Sequence, residues 1–380
     1  MLRAFFFVYF GATGILLPFL GPYLRGLGFS GRQIAVALSI APFLGLAMPL
    51  LWAWLADRSG RHVAVLRGLC IGLLCGSVGL FFARQYGAIL AAMSCMALFS
   101  SGIVPMADAM ASATVEQSQT YARTRLWGSV GFVVTSVSGG LLLDRRAGSV
   151  GDADVPLLLI GAYALSALVA LRLSVRADTG ERPRLDDMKQ LFGDPRLRLL
   201  LCIAGLHWAA GTPYMLLFGI LVKDLELPAK VTGFAVALGV LVEIGVLHQF
   251  SRLAARFSRE RMLAVALAAT ALRWLLVSRA SSAASLIALQ AIHGLTFGLF
   301  WASTVALLIE YVPRSLRASG QALLGVALAG GSLVGYFAAG ALYDATGSAA
   351  MAFAAAGLGE LVPLALILRF RTLRALNPAA

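Results

Sequence analysis

Seven ionisable side chains stand in or beside stretches that are otherwise apolar: Asp108, Arg125, His207, Glu243, Arg273, His293 and Glu360. A charge at the centre of a lipid-embedded helix costs about 2.5–3.5 kcal/mol on insertion scales, so each must pair, face a cavity or be neutral. Asp108 and Arg125 lie in "VPMADAMASATVEQSQTYARTRLWGSVGF" (104–132), on either side of a polar connector. A hairpin there sets them at similar depth on antiparallel neighbours, as a ligand-binding pair or as a lock between two helices. Glu243 and Arg273 fall near the middle of consecutive, oppositely directed runs, and His293 near the middle of the next. These types do two kinds of chemistry. A carboxylate can take up and release a proton, and a guanidinium can hold a carboxylate at two points. The formal charges of Asp108, Arg125, Glu243 and Arg273 cancel. An anionic ligand keeps that balance only if a proton accompanies it, which argues for proton-coupled symport of a small organic acid. Glu243 ranks first as the proton carrier, with Asp108 second and His293 as a partner.

The elements that position these residues follow from composition. Of 380 residues, 59% are hydrophobic and 13% charged, against about 25% charged in soluble domains. Twelve apolar windows between residues 4 and 369 are each long enough to cross the hydrocarbon, which takes about 20 residues in a helix. Continuous windows of this length exclude a barrel of short alternating strands. The expected fold is an all-α membrane protein of twelve transmembrane helices in two pseudo-symmetric six-helix bundles. Residues 1–171 form the first bundle, 172–198 a cytoplasmic linker and 199–380 the second bundle. The net charge of +13 sorts with topology, 22 basic residues falling in loops on the side of the N-terminus and 8 on the other. That bias places both termini in the cytoplasm and argues against nucleic-acid binding. The first apolar run lacks a cleavage-like site and is expected to be a retained helix. Cys70, Cys75, Cys95 and Cys202 read as small buried hydrophobes, and no metal or cofactor is expected. No phosphate-cradling loop, nucleophile elbow or zinc helix is present, so no enzyme activity is expected.

The halves repeat each other weakly. "YLRGLGFSGRQIA" (23–35) overlies "LVKDLELPAKVTG" (221–233) at an offset of 198, and "GFVVTSVSGGLLLD" (131–144) overlies "GSLVGYFAAGALYD" (331–344) at an offset of 200. Repeats in a chain of this size imply a transporter with its site near the midplane, where the halves meet. Gly211 and Pro213, in "WAAGTPY" (208–214), are expected to break or bend the seventh span. His207 just before them reads equally as packing or ligand, and Glu360 has no evident role.

The loop after the second window reads "AWLADRSGRHVAVL" (53–66). Asp57 can cap or pair across helix ends, Gly60 allows a tight turn, and Arg58 and Arg61 face the cytoplasm, as a gate requires. The loop resembles the signature of the major facilitator superfamily, with Ala53 at its first glycine and His62 at its last arginine. "YFGATGILLPFLGPYLRGLG" (9–28), "VPMADAMAS" (104–112), "YARTRLWGSVGF" (121–132), "ALGVLVE" (237–243), "ALRWLL" (271–276) and "IHGLTF" (292–297) resemble the phenylpropionate permease family, itself related to lactose permease. The resemblance implies roles for Asp108, Arg125, Glu243, Arg273 and His293. Against the lactose permease pattern, Phe132 stands at the sugar-stacking tryptophan, Thr296 at the proton-coupling glutamate, Leu328 at a lysine and Val240 at an acid. Galactoside transport is therefore not expected. Substrate binding is assigned to Asp108, Arg125, Phe132, Arg273 and Tyr9, with Phe10, Trp127 and Trp208 as further aromatic lining. The protein is expected to act as a monomer in the cytoplasmic (inner) membrane, with protons and a small molecule as partners. A sugar or nucleoside symporter, and a sensor or scaffold of transporter fold, remain as alternatives.

Overall fold

The computed structural model describes residues 1–113, 118–145, 154–173, 191, 193–313 and 316–376. Most of the expected linker lies outside these residues. Among them the regular structure is helical throughout. We number the helices α1 Leu2–Gly26, α2 Gly31–Gly45, α3 Met48–Ser59, α4 His62–Phe82, α5 Tyr86–Ala113, α6 Ser118–Arg145 and α7 Asp154–Leu171. There follow α8 Pro195–Asp224, α9 Lys230–Ala254, α10 Arg259–Val277, α11 Ala283–Ala288, α12 Phe300–Tyr311, α13 Arg317–Thr346, α14 Ala349–Gly359 and α15 Leu361–Leu376. Among the described residues ten stretches are long and apolar enough to cross a membrane, and α2 with α3, bent by 41° between them, makes an eleventh if the pair is one span. α10, expected as a further span, carries Arg259, Glu260, Arg261 and Arg273 and falls outside that set. Large apolar side chains such as Phe82, Val334 and Leu358 are exposed at 73%, 66% and 59%, as a lipid-facing surface requires.

Helix ends and breaks follow local chemistry. Ser30 caps α2 in a capping box with Gln33, and Ser258 caps α10. Gly60 ends α3 in the left-handed conformation, φ 62°. The expected break at Gly211 and Pro213 is absent, since α8 is one continuous helix of 30 residues. Pro213 cannot donate to the Ala209 carbonyl. Gly335 of α13 packs directly on that carbonyl, which steadies the helix from outside. The interruption falls instead in the tenth span, where α11 runs into a 3-10 turn at Leu289–Ile292 and a π segment at Gly294–Leu299 before α12.

The chain forms two compact units, one of residues 1–180 and 215–237, the other of 181–214 and 238–380. In the first, α1 packs on α6 backbone to backbone. Gly131 lies against the Phe7 carbonyl, and Thr135 Oγ1 donates to the Gly11 carbonyl at 2.6 Å. In the second, α8 packs on α13 the same way, Gly331 against the Gly205 carbonyl and Gly335 against that of Ala209. Phe7 to Gly205 and Gly11 to Ala209 is the offset of 198, and Gly131 to Gly331 and Thr135 to Gly335 that of 200. The weak sequence repeat therefore recurs as the same pair of small-residue contacts in each unit. Residues 215–237 join the first unit through Gly219 on Pro18 and Pro22, Gly233 on the Ser136 carbonyl, and Lys230 with Asp144 at 3.6 Å.

Of the four cysteines, all free, Cys70 is buried and Cys95 half-buried, but Cys75 and Cys202 are exposed. An apolar surface takes a cysteine as readily as an apolar core, which the expectation of four buried thiols overlooked.

Candidate functional site

In the first unit, α5 ends and α6 begins so that Arg125 Nε lies 3.6 Å from Asp108 Oδ1, with side chains 34% and 31% exposed. The contact is an ion pair, longer than a hydrogen bond. The close α1–α6 packing lays aromatic rings beneath the guanidinium. Its carbon stands 4.0 Å from the Phe10 ring centre and 5.4 Å from that of Phe6. Gly128 leaves room for this, because a Cβ there would come 2.9 Å from Phe10 and 3.0 Å from Arg125 Nη1. Tyr9 packs inside the unit, stacked on Phe5 and edge-on to Phe10. Phe132 is half-buried two turns along α6 from Arg125, while Trp127 is exposed against Phe7. A cavity of 940 Å³ in this unit lies at the far end of α6, lined by Asp144, Arg145 and Lys230, and does not hold the Asp108–Arg125 pair.

In the second unit, Arg273 is 1% exposed and enclosed by neutral groups. Its Nη1 donates to His293 Nδ1 and to Thr296 Oγ1, both at 2.9 Å, and its Nη2 donates to Gln290 Oε1. Tyr214 and Trp274 lie 4.8 and 4.4 Å from its guanidinium carbon. Arginine only donates, so His293 Nδ1 accepts and the ring's hydrogen sits on Nε2. That nitrogen faces Glu243 Oε2 at 3.8 Å. Glu243 and Arg273 thus communicate through His293 rather than touching. Gly239, Gly294 and Gly298 permit it, their missing side chains lying within 3.1, 2.7 and 3.2 Å of His293, Val242 and Glu243. The 3-10 and π turns present Gln290, His293 and Thr296 together to Arg273. The assignment of Arg273 to substrate finds its guanidinium held, in this conformation, by the unit's own acceptors. Sequence reasoning missed Gln290 and Tyr214. A glutamine one turn before His293 in an apolar run was the available signal. Trp208 packs among Phe297, Phe300 and Trp301 in this unit.

At the signature loop, Asp57 Oδ1 meets His62 Nε2 at 2.9 Å across the Gly60 turn. Arg58 lies 5.2 Å from the Trp54 ring centre, and Arg61 is exposed. The histidine that stands at the signature's last arginine is therefore a partner of Asp57. His207, unassigned by sequence, meets Glu360 at 2.5 Å deep in the second unit.

The family described as "MFS_1 like family" matches residues 1–355 of the chain. The maltose permease of Geobacillus stearothermophilus is 29% identical over 279 residues, 71% of this chain and 68% of that protein. The probable 3-phenylpropionic acid transporter of Escherichia coli (strain K12) is 27% identical over 307 residues, 77% of each chain. The crystal structure of the nucleoside transporter NupG superposes with a TM-score of 0.84 at 16% identity, over 97% of each chain. At that identity the last likeness is one of fold.

Proposed function

The chain belongs to the MFS_1-like family and is a multi-pass membrane transporter, not an enzyme, and on that premise we propose proton-coupled symport of a small organic acid. An aromatic carboxylate is the foremost substrate class. The observation that carries this reading is Arg125, a partly exposed guanidinium 4.0 Å over the Phe10 ring centre, whose contact to Asp108 is an ion pair at 3.6 Å. A cation with free donor capacity over an aromatic floor suits a carboxylate attached to a ring. The 3-phenylpropionic acid named for the Escherichia coli relative is such a compound.

Proton coupling is assigned to Glu243 by the order Arg273–His293–Glu243. A proton added to His293 would place an N–H against the Arg273 guanidinium, so the carboxylate is the member that takes it. The neutral ring then relays the arginine's charge to Glu243 without competing for the proton. Asp57, Arg58, Gly60 and Arg61 are assigned to gating. The carrier works by alternating access as a monomer in the cytoplasmic membrane, both termini inside.

A second reading is a sugar or nucleoside symporter, favoured by the names of the Geobacillus relative and of NupG. There Asp108 and Arg125 would bind hydroxyls. Uptake of 3-phenylpropionate, maltose and uridine into proteoliposomes with an inward proton gradient separates the readings. The expected result is saturable accumulation of the acid that collapses with an uncoupler. Accumulation of maltose or uridine alone favours the second reading, and no saturable flux of a wide acid, sugar and nucleoside panel favours a sensor.

A further inference from the structure

The His207–Glu360 contact is not used by any step above. Glu360 sits at the junction of α14 and α15, fully buried, and His207 on α8 is 5% exposed. His207 Nδ1 and Glu360 Oε1 are 2.5 Å apart, while Glu360 Oε2 is buried with no hydrogen-bond partner among the described residues. The fully buried Phe300 closes one side of the imidazole, with ring centres 3.9 Å apart. One turn before Glu360, α14 approaches α10 closely, a Cβ at Gly357 coming 3.0 Å from the Ala271 carbonyl. Besides the pair, the buried or half-buried titratable side chains on α8, α10, α12 and α13 are Tyr214, Glu260, Arg273, Tyr311, Tyr336 and Tyr343 among the described residues. Among the described residues His207 is the ionisable group in contact with Glu360. Arg273 is turned to His293, Thr296 and Gln290 instead.

A carboxyl and an imidazole at this distance hold one proton between them. Either the acid O–H donates to neutral Nδ1, or the proton moves to nitrogen and N–H donates to the carboxylate. Both forms are neutral overall. Without the proton a net negative charge would be buried at membrane depth, and with a second a net positive one. We propose that His207 and Glu360 form a proton-binding site, separate from Glu243, that carries one proton and holds the second unit in this conformation only while occupied. The proposal does not depend on whether transport itself is proton-driven.

The test needs no substrate. The chain has four histidines, so nitrogen-15 labelling gives few signals, and His207→Gln identifies the one required. An unfolded histidine loses its proton above about pH 6.5 and an unfolded glutamate above about pH 4.3, whereas the folded pair keeps one. Folding stability must therefore fall as pH rises above that histidine value, by up to tenfold in the folding constant per pH unit. We expect wild-type protein in micelles to show this fall in melting temperature while the His207 signal stays fixed through neutral pH. Glu360→Gln keeps a hydrogen bond but has no proton to lose, and should remove that part of the fall. An equal alkaline fall in wild type and Glu360→Gln would overturn the proposal. Should that variant not fold, the wild-type signal decides. A His207 resonance fixed across neutral pH supports the site, and one that titrates like an exposed ring sinks it.

Discussion

Arg125 and Asp108 were legible as partners because each interrupts an apolar run on either side of one short connector. A hairpin brings two such charges to one depth on neighbouring helices. Arg125→Ala and Asp108→Asn are each expected to lower accumulation in proteoliposomes roughly tenfold at substrate concentrations well below saturation. Breaking one side of a buried pair costs about 3–5 kcal/mol, and partial exposure here lowers that toward about 1–2 kcal/mol, still roughly tenfold in affinity. A folded double neutral variant that transports normally would remove the pair from both binding and locking. Arg273 was assigned to substrate from its sequence setting, because only charged residues announce themselves in lipid. Its actual acceptors, Gln290, Thr296 and His293, are uncharged and come from one irregular segment. We expect Glu243→Gln to keep substrate exchange but lose uphill accumulation driven by a pH gradient. Retained pH-dependent accumulation in that variant would transfer the coupling role to Asp108.

At the level of the elements, glycines decide how closely helices approach. A methyl at Gly131 would run into the Phe7 carbonyl, and one at Gly331 into that of Gly205. Backbone cannot move aside as a side chain can. Gly131→Ala and Gly331→Ala should each lower stability by about 1–3 kcal/mol, read as a drop in melting temperature in detergent. An unchanged melting temperature for both would mean that these helix pairs separate freely. The signature loop makes a different demand. Gly60 holds φ 62°, which costs other residues about 1–2 kcal/mol, and it brings Asp57 to His62. Asp57→Asn is expected to slow turnover several-fold while leaving equilibrium substrate binding nearly intact. A large loss of binding would place Asp57 in the substrate site instead of the gate.

For the whole molecule, orientation is the property that charge alone predicts. With 22 basic residues in loops on the N-terminal side and 8 on the other, both termini and the linker should face the cytoplasm. In a cysteine-free background, Thr179→Cys should react with an impermeant maleimide only after the membrane is opened. Ser281→Cys should react from outside in intact cells. The reverse pattern would invert the topology and with it the sidedness of the proposed gate.

Hydropathy by itself fixed the helical membrane fold, because apolar runs of this length in bilayer have no other way than helices to satisfy their backbone groups. The repeat was visible too, since Phe7 and Gly131 sit at the same offsets from Gly205 and Gly331 that the longer matches show. Which neutral groups enclose Arg273, why α8 survives Pro213, and that His207 finds Glu360 from 153 positions away were decided by tertiary packing. Those contacts depend on which faces of distant helices meet, and a composition rich in apolar residues on every face of a lipid-embedded helix carries little record of that.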